Sequence, residues 1–487
     1  MLLMAEDKPP PATLPSLLNI TVIWGQIAPY LPVSSVAALL GTSKDLRHSL
    51  QQDPDTFRYL DLSTIRTHPT AHLLGNLLSR LDETFDQSRT EDQFYAAPLR
   101  RIFSQLERKG QLRNVRTMIL DGLSVTADLV HEIMSGENFH VRILSIREVR
   151  NMNERKLQQV LRYAVRPSRP EGTPRVKGIY VFGMAELPHG RKTLEERLEH
   201  MPYDEIQAMK AQWDGSTLTD VVNALAKTDE RWYQGPGSKF PKAPSLDGSM
   251  FPKRPSLPWA QTLAACEGII AFDAVLCRGP QHDPWRIGQD KFTPEGHQAV
   301  GLHSVIASVA LGPAGCDTCH WSPEGPAQYG QSSLSQLPLL SPLPRHSSDI
   351  KDAQRPPRSG RDRANMMFAR CDICLTGRRC QRCYKWWDEE CYFGSASAQR
   401  TEMQIIEAMQ GLQSDEKDGS APKETIKIIG VRRDCFDCGP TCITCKQLFM
   451  RKCTKCKNEY CLEDNDASSE TKCDWCNSGG RRTADWY

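Results

Sequence analysis

Long apolar runs are missing from this sequence. None of its 487 residues falls in a continuous apolar stretch of 18, so no membrane-spanning helix and no membrane partner are expected. The opening MLLMAEDKPPPATLP places acidic and proline residues where a secretory signal would be apolar. Net charge is also nearly missing. With 61 basic residues against 59 acidic ones, +2 at pH 7, no global field draws the chain to nucleic acid or lipid. No Ser/His/Asp order, phosphate loop, HExxH pair or deaminase pattern occurs, so the chain is not expected to be an enzyme by itself. Cysteine is almost absent from the first 315 residues, which hold only Cys266 and Cys277.

The remainder of the 18 cysteines crowd into the tail: Cys316, Cys319, Cys371, Cys374, Cys380, Cys383, Cys391, Cys435, Cys438, Cys442, Cys445, Cys453, Cys456, Cys461, Cys473 and Cys476. Without an export signal the expected location is the cytoplasm or nucleus, where thiols stay reduced. Crowding then points to metal rather than disulfides. Fourteen of the sixteen form CxxC pairs, a spacing that lets two thiolates of one knuckle reach one ion. Sixteen thiolates fill about four tetrahedral sites, and the ion expected is structural zinc. In the last segment a cross-brace is expected: Cys442 and Cys445 with Cys461 and Asp464, and Cys453 and Cys456 with Cys473 and Cys476. Cys435 and Cys438 would then join the upstream cysteines, with His320 as a possible further ligand. A rival grouping puts Cys435, Cys438, Cys453 and Cys456 on one ion. CDTCH at 316–320 also fits a haem attachment motif, but its neighbours are zinc-like.

Composition and length suit several domains joined by loops. The expected class is α+β and multidomain. Its parts are an N-terminal three-helix unit (18–63), an irregular repeat-like α/β middle (99–312) and small zinc-stapled modules with disordered linkers. VRTMILDG (115–122), VRILSIREV (141–149) and VKGIYVFG (176–183) resemble one another and alternate with helical patterns. Their spacings of 26 and 35 residues suit leucine-rich-type repeats, with an ordinary parallel α/β domain as the alternative. EGIIAFDAVLC (267–277) and HSVIASVALG (303–312) read as two further strands of the array. Residues 234–258 read as a flexible insertion and 322–364 as a disordered linker. The zinc modules are expected at 316–319 with 366–393, and at 432–480.

The stretch VIWGQIAPYLPVSSVAALLGTSKDLRHSLQQDPDTFRYLDLS resembles an F-box. TVIWGQIAPYL reads as a helix with Val22, Ile23, Ile27, Tyr30 and Leu31 on one face. Ser34 or Ser35 would cap the next helix. An aromatic after a DP turn runs into YLDLS, as F-boxes commonly close. The Leu-Pro that usually opens the first helix is Asn19-Ile20 at the expected place, and Leu14-Pro15 serves only with an offset. The resemblance implies docking on the Skp adaptor of a Skp–cullin–F-box ubiquitin ligase. The implied contact residues are Ile23, Ile27, Leu31, Pro32, Val36, Leu39, Leu40, Leu46 and Phe57. A repeat-like middle then implies a receptor holding a protein substrate at the repeat edge, on the concave sheet, or on the tail. The stretches WAQTLAACEGIIAFDAVLCRGPQHD and RRCQRCYKWW are similar to filamentous-fungal F-box proteins with cysteine-rich tails. One alternative is a self-sufficient RING-like ligase at 442–476, although the gap from Cys445 to Cys453 is short for a RING. The other is a zinc-dependent nucleic-acid-binding protein, suggested by eight arginines against two aspartates between Arg355 and Cys383 with Tyr384, Trp386 and Trp387 following.

Overall fold

The computed structural model describes residues 13–67, 91–186, 232, 250–279, 282, 304–311, 315–356, 366–391 and 432–477, apart from 252, 323, 324, 341, 381, 389, 390, 436–438 and 463–467. The chain is mixed α/β and divides into two compact units. One takes residues 1–229, 251–275 and 332–356; the other takes 230–250, 276–331 and 357–487. Among the described residues no helix is long and apolar enough to cross a membrane.

The first unit opens on α1 (Leu14–Leu18), α2 (Thr21–Ile27), α3 (Val33–Thr42) and α4 (Lys44–Gln52). Thr13 caps α1 and Pro15 sits in its first turn, where its missing N–H costs nothing. VAALLGTSKDLRHSL does not form one helix. Ser43 adopts extended backbone and accepts a hydrogen bond from the Leu46 N–H, ending α3 and capping α4. Neither Ser34 nor Ser35 caps α3, which begins at Val33 after Pro32. The fixed proline φ already suits the entry to a helix. Trp24, Val36, Leu40, Leu46, Leu50 and Phe57 form the buried side of this helical layer. The Trp24 indole N–H donates to Thr56 Oγ1 at 2.8 Å.

YLDLS then enters β1 (Tyr59–Asp61), the first strand of a five-stranded parallel sheet. After α5 (Glu91–Arg108) come β2 (Thr117–Ile119), α6 (Ala127–Ser135), β3 (Ile143–Ser145), α7 (Glu154–Ala164) and β4 (Gly178–Tyr180). The unit continues with α8 (Leu257–Cys266) and β5 (Ala271–Phe272). Thr126 and Asn153 cap α6 and α7, and Leu157 and Leu161 of α7 are buried one turn apart. Strand order follows chain order from β1 to β5. Among the described strands no reversal of order occurs, unlike the switch point of a doubly wound fold.

Side chains alternate across each strand. Leu60, Met118, Leu144, Ile179 and Phe272 share one face and are all buried. Tyr59, Ile119, Ile143, Tyr180 and Ala271 share the other. That second face is covered by residues 332–356 of the same unit. Leu339, Leu343 and Ala353 pack with Ile119, Ile143 and Tyr180, and Ile350 of α9 (Ile350–Ala353) joins them. The Leu339 N–H donates to Phe272 O at 2.7 Å, and Tyr180 Oη donates to Leu340 O at 3.0 Å. Arg345 and His346 continue this strap to the helical layer. The Arg345 guanidinium donates to Pro29 O and lies 4.8 Å from the Tyr30 ring centroid.

These observations correct the expected linker at 322–364. Leu337, Leu339, Leu340, Leu343 and Ala353 within it are buried core, while 357–365 lie outside the described residues. Proline and serine signal loops locally, but Leu339 and Leu343 are held by partners remote in sequence. The insertion at 234–258 is also shorter than expected at its end. Phe251 is buried 5.9 Å from the Phe182 ring and α8 begins at Leu257; residues 234–249 lie outside the described residues.

Charged groups are buried beyond the carboxyl ends of the strands. Arg147 pairs with Asp121 at 2.8 Å and with Glu186 at 3.4 Å. Asp273 accepts the N–H groups of Val181, Phe182 and Gly183 at 2.7–3.1 Å. Each ionised group therefore has partners, as burial requires.

The second unit is built from two-stranded pieces. Antiparallel pairs join β6 (Val309–Ala310) to β9 (Ala369–Arg370) and β7 (Ala327–Gln328) to β8 (Met366–Met367). Two more join β10 (Arg432–Cys435) to β11 (Gly439–Thr441) and, after α10 (Ile443–Phe449), β12 (Met450–Lys452) to β13 (Glu459–Cys461). The short helix α11 (Asp474–Asn477) follows. The run 303–312 is thus not a strand of the parallel array, which ends at β5. The repeat-like middle expected at 99–312 extends too far, because a short apolar run does not name its partner.

Candidate metal centres

Among the described residues, four groups of side chains in the second unit bring their ligand atoms within 4.8 Å of one another. They are Cys277, His282, Cys371 and Cys374; Cys316, Cys319, Asp388 and Cys391; Cys380, Cys383, Cys442 and Cys445; and Cys453, Cys456, Cys473 and Cys476. Each offers four donors, enough for one tetrahedral ion. Metal–sulfur bonds of about 2.3 Å give a tetrahedron with edges of about 3.8 Å. Cys380 Sγ lies 3.8 Å from Cys445 Sγ, and Cys383 Sγ lies 3.7 Å from Cys442 Sγ. Cys456 Sγ and Cys473 Sγ are also 3.7 Å apart. The spacing suits one ion per group.

Backbone amides prepare the sulfurs for negative charge. Cys371 N–H donates to Cys277 Sγ at 3.1 Å, and Gly279 N–H donates to it at 3.4 Å. Cys442 N–H donates to Cys380 Sγ at 3.3 Å. These bonds favour the thiolate that a metal requires. Cys380 is held down to about 4, first by the Cys383 thiol and then by nearby N–H groups. Cys383 is pushed up by the same contact and by burial. In the first group Cys277 is held well below the ordinary thiol range by hydrogen bonds from Cys371 and Cys374, whose own thiols are raised. One thiol in each of these groups ionises readily and its neighbours resist. A bound dication removes that resistance by offsetting the like charges.

The Cys277 group is closed by an imidazole. His282 Nε2 lies 3.1 Å from Cys371 Sγ. Its Nδ1 is buried without a hydrogen-bond partner among the described residues. Gly279 permits the close approach: a Cβ there would sit 2.5 Å from Cys374 Sγ. The Cys316 group is closed by a carboxylate. Asp388 is buried, with Oδ2 accepting from Cys319 Sγ at 2.7 Å and Oδ1 accepting from the Cys391 N–H at 2.8 Å. One oxygen is tied to the backbone and the other faces the sulfurs.

Cys453, Cys456, Cys473 and Cys476 meet as one group, but Cys442 and Cys445 meet Cys380 and Cys383 rather than Cys461. Cys461 belongs to none of the four groups. It is buried in β13 and accepts from the Arg382 guanidinium at 3.2 Å. The expected cross-brace within 442–476 therefore does not form. The β12–β13 hairpin takes Cys461 as a strand residue. Asp464, Cys438 and the side chain of Cys435 lie outside the described residues. His320 joins no group; it stands exposed at φ 59° in a turn, and Asp388 takes the fourth position. Cys277, His282 and Asp388 were not legible as ligands. Asp388 and Cys391 do repeat the CxxC spacing with a carboxylate in the first place.

The residues implied as adaptor contacts fall in two classes. Ile27 and Pro32 are exposed, and Ile23, Leu31 and Leu39 are half-buried. Val36, Leu40, Leu46 and Phe57 are buried core of the helical layer. Large apolar side chains are exposed instead at Leu14, Leu17, Ile20 and Val22, next to Ile27. The chain matches no protein-family model and no curated protein sequence.

Proposed function

We propose that this chain is the substrate-recognition subunit of a Skp–cullin–F-box ubiquitin ligase, itself non-catalytic, with structural zinc in its tail. The observation that carries the reading is the run of exposed apolar side chains along α1, α2 and the turn between them. Leu14, Leu17, Ile20, Val22 and Ile27 are all exposed within 14 residues. A small helical layer that leaves such a surface bare gains by laying it against a partner helix. The order of parts supports the same reading. Leu14-Pro15 opens the helical layer, and YLDLS leads straight into a parallel sheet of sequential order, as a repeat-like substrate module would have.

The covered sheet face bears on where a target binds. Displacing Leu339, Leu340 and Leu343 would expose three buried leucines at roughly 1.5–3 kcal/mol each. That is a large share of a domain's stability, so the strap is a permanent part of the fold. The target then meets the loops at the sheet edge or the zinc tail. Thiolate-dominated groups closed by imidazole or carboxylate suit zinc, which takes Cys, His and carboxylate ligands in tetrahedral structural sites. The RING-like and nucleic-acid readings have no comparable observation behind them.

Co-expression of the full chain with a Skp adaptor tests the reading. A stoichiometric complex is expected, and it is lost in Val22→Asp/Ile27→Asp while the far-ultraviolet dichroism of the variant is unchanged. No complex with the wild-type chain would overturn it.

A further inference from the structure

Arranged along the chain, the ligand pairs of the four groups do not close one after another. Cys277 and His282 come first, then Cys316 and Cys319, then Cys371 and Cys374, which return to the first group. Cys380 and Cys383 follow, then Asp388 and Cys391, which return to the second, then Cys442 and Cys445, which return to Cys380. Thus the Cys277 group closes a loop holding half of the Cys316 group. The Cys316 group in turn closes a loop holding half of the Cys277 group and half of the Cys380 group. The Cys453 group closes a loop that contains no other ligand pair.

We propose that the Cys277, Cys316 and Cys380 groups form one interlocked three-ion zinc unit that gains and loses its ions together, and that the Cys453 group is a separate one-ion site. The inference rests on the metal reading above and is independent of adaptor binding.

Packing joins the Cys316 and Cys380 groups and sets the Cys453 group apart, while the Cys277 group is tied in by its interleaved ligand order and the short spacer to Cys380. One core contains Cys316, Cys380, Cys442 and Cys445 together with Val309, Leu311, Phe368, Leu375, Trp386 and Trp387. Cys453 and Cys473 belong to a different small core around Tyr460. The connections within the interlocked unit are short. Five residues separate Cys374 from Cys380, and four separate Cys383 from Asp388. The Trp387 N–H donates to Arg378 O at 2.9 Å, joining the two spacers, and the second carries further cross-links. The Cys380 N–H donates to Lys385 O, the Asp317 N–H donates to Trp386 O, and Lys385 pairs with Asp317 at 3.1 Å. The Asp388 N–H donates to Cys316 Sγ at 3.3 Å. A ligand pair released from one ion therefore pulls on the spacer that places a pair of its neighbour. A site whose ligands are no longer placed binds its metal weakly, because metal binding and folding are the same event in such small modules.

Native mass spectrometry of the zinc-loaded full chain, during titration with a chelator, tests this directly. The wild type is expected to carry four ions and to pass through three-ion or one-ion species to none. A two-ion species should be absent. Cys453→Ala should show only three-ion and metal-free species, and Cys316→Ala should retain one ion. A wild-type ladder with four, three, two and one ions all populated would overturn the interlock, and so would retention of three ions by Cys316→Ala. Because the wild-type ladder decides by itself, misfolding of a variant does not blunt the test. A second measurement reads the ligand set. His282→Cys loaded with cobalt(II) should keep four ions and shift the visible bands toward those of all-thiolate sites. Unchanged bands would remove His282 from the unit. A chain that carries no zinc at all would contradict the metal reading itself, a result distinct from either failure of the interlock.

Discussion

Gly279 shows how closely a single residue is held to the metal chemistry. A methyl group there would meet Cys374 Sγ at 2.5 Å and Cys374 Cβ at 2.8 Å. Gly279→Ala is expected to destabilise the Cys277 group by about 1–3 kcal/mol, the usual cost of overpacking. Earlier zinc release in a chelator titration would report it. In the first unit Glu186 is the residue to watch. Burial pushes its carboxyl above the usual carboxylate range, against the pull of Arg147 and the Leu343 N–H. Arg147 already pairs with Asp121, so a second full negative charge is incompletely offset. A folded-state pKa raised above the unfolded value means stability present at low pH and lost as pH rises through the folded value. Glu186→Gln should therefore gain melting temperature relative to wild type as pH rises above the ordinary carboxylate range; a constant difference would refute this. Residues of this kind were legible only where chemistry repeats a spacing. Fourteen tail cysteines stood out by CxxC. Cys277 stood alone in an apolar run, His282 five residues beyond it, and Asp388 carried a ligand role that acids rarely signal.

At the scale of elements, the strap at 332–356 departs most from expectation. It packs so closely on β4 that a Cβ at Gly178 would sit 2.9 Å from Ile350 Cδ1 and 3.1 Å from Leu339 Cδ1. Gly178→Val should cost about 1–3 kcal/mol in urea unfolding and speed hydrogen exchange at the Leu339 and Leu340 amides. Gly41 in α3 is the contrast, with nothing within 4 Å of its added Cβ. Gly41→Ala should stabilise by about 0.5–1 kcal/mol. The strands at 117–119, 143–145 and 178–180 were legible because apolar runs recur between capped helices. The strap was not, because PLLSPLPR has loop composition and its partners are remote in sequence: the Tyr180–Leu340 bond spans 160 residues. Burial of that kind is set by tertiary context and leaves no local period.

For the whole molecule, two compact units with different means of stabilisation follow from the distribution of cysteine. The first has a layered core of leucine, isoleucine and valine. The second has short strand pairs, small cores and four groups of metal-ligand chemistry. The mixed α/β class, the parallel sheet and about four candidate metal sites were legible from strand recurrence and cysteine arithmetic. Of the partition, the group of Cys453, Cys456, Cys473 and Cys476 was legible and the rest was not, because identical CxxC pairs carry no label for their partners and folding alone brings Cys442 to Cys380.

We propose that the exposed apolar side chains of α1 and α2 bind a Skp adaptor. Isothermal titration of the purified full chain with a Skp adaptor tests it most directly. The account predicts saturable one-to-one binding with a negative heat-capacity change from apolar burial, weakened at least tenfold by Ile27→Asp. Absence of binding by the wild-type chain, or equal affinity of wild type and Ile27→Asp, would contradict it.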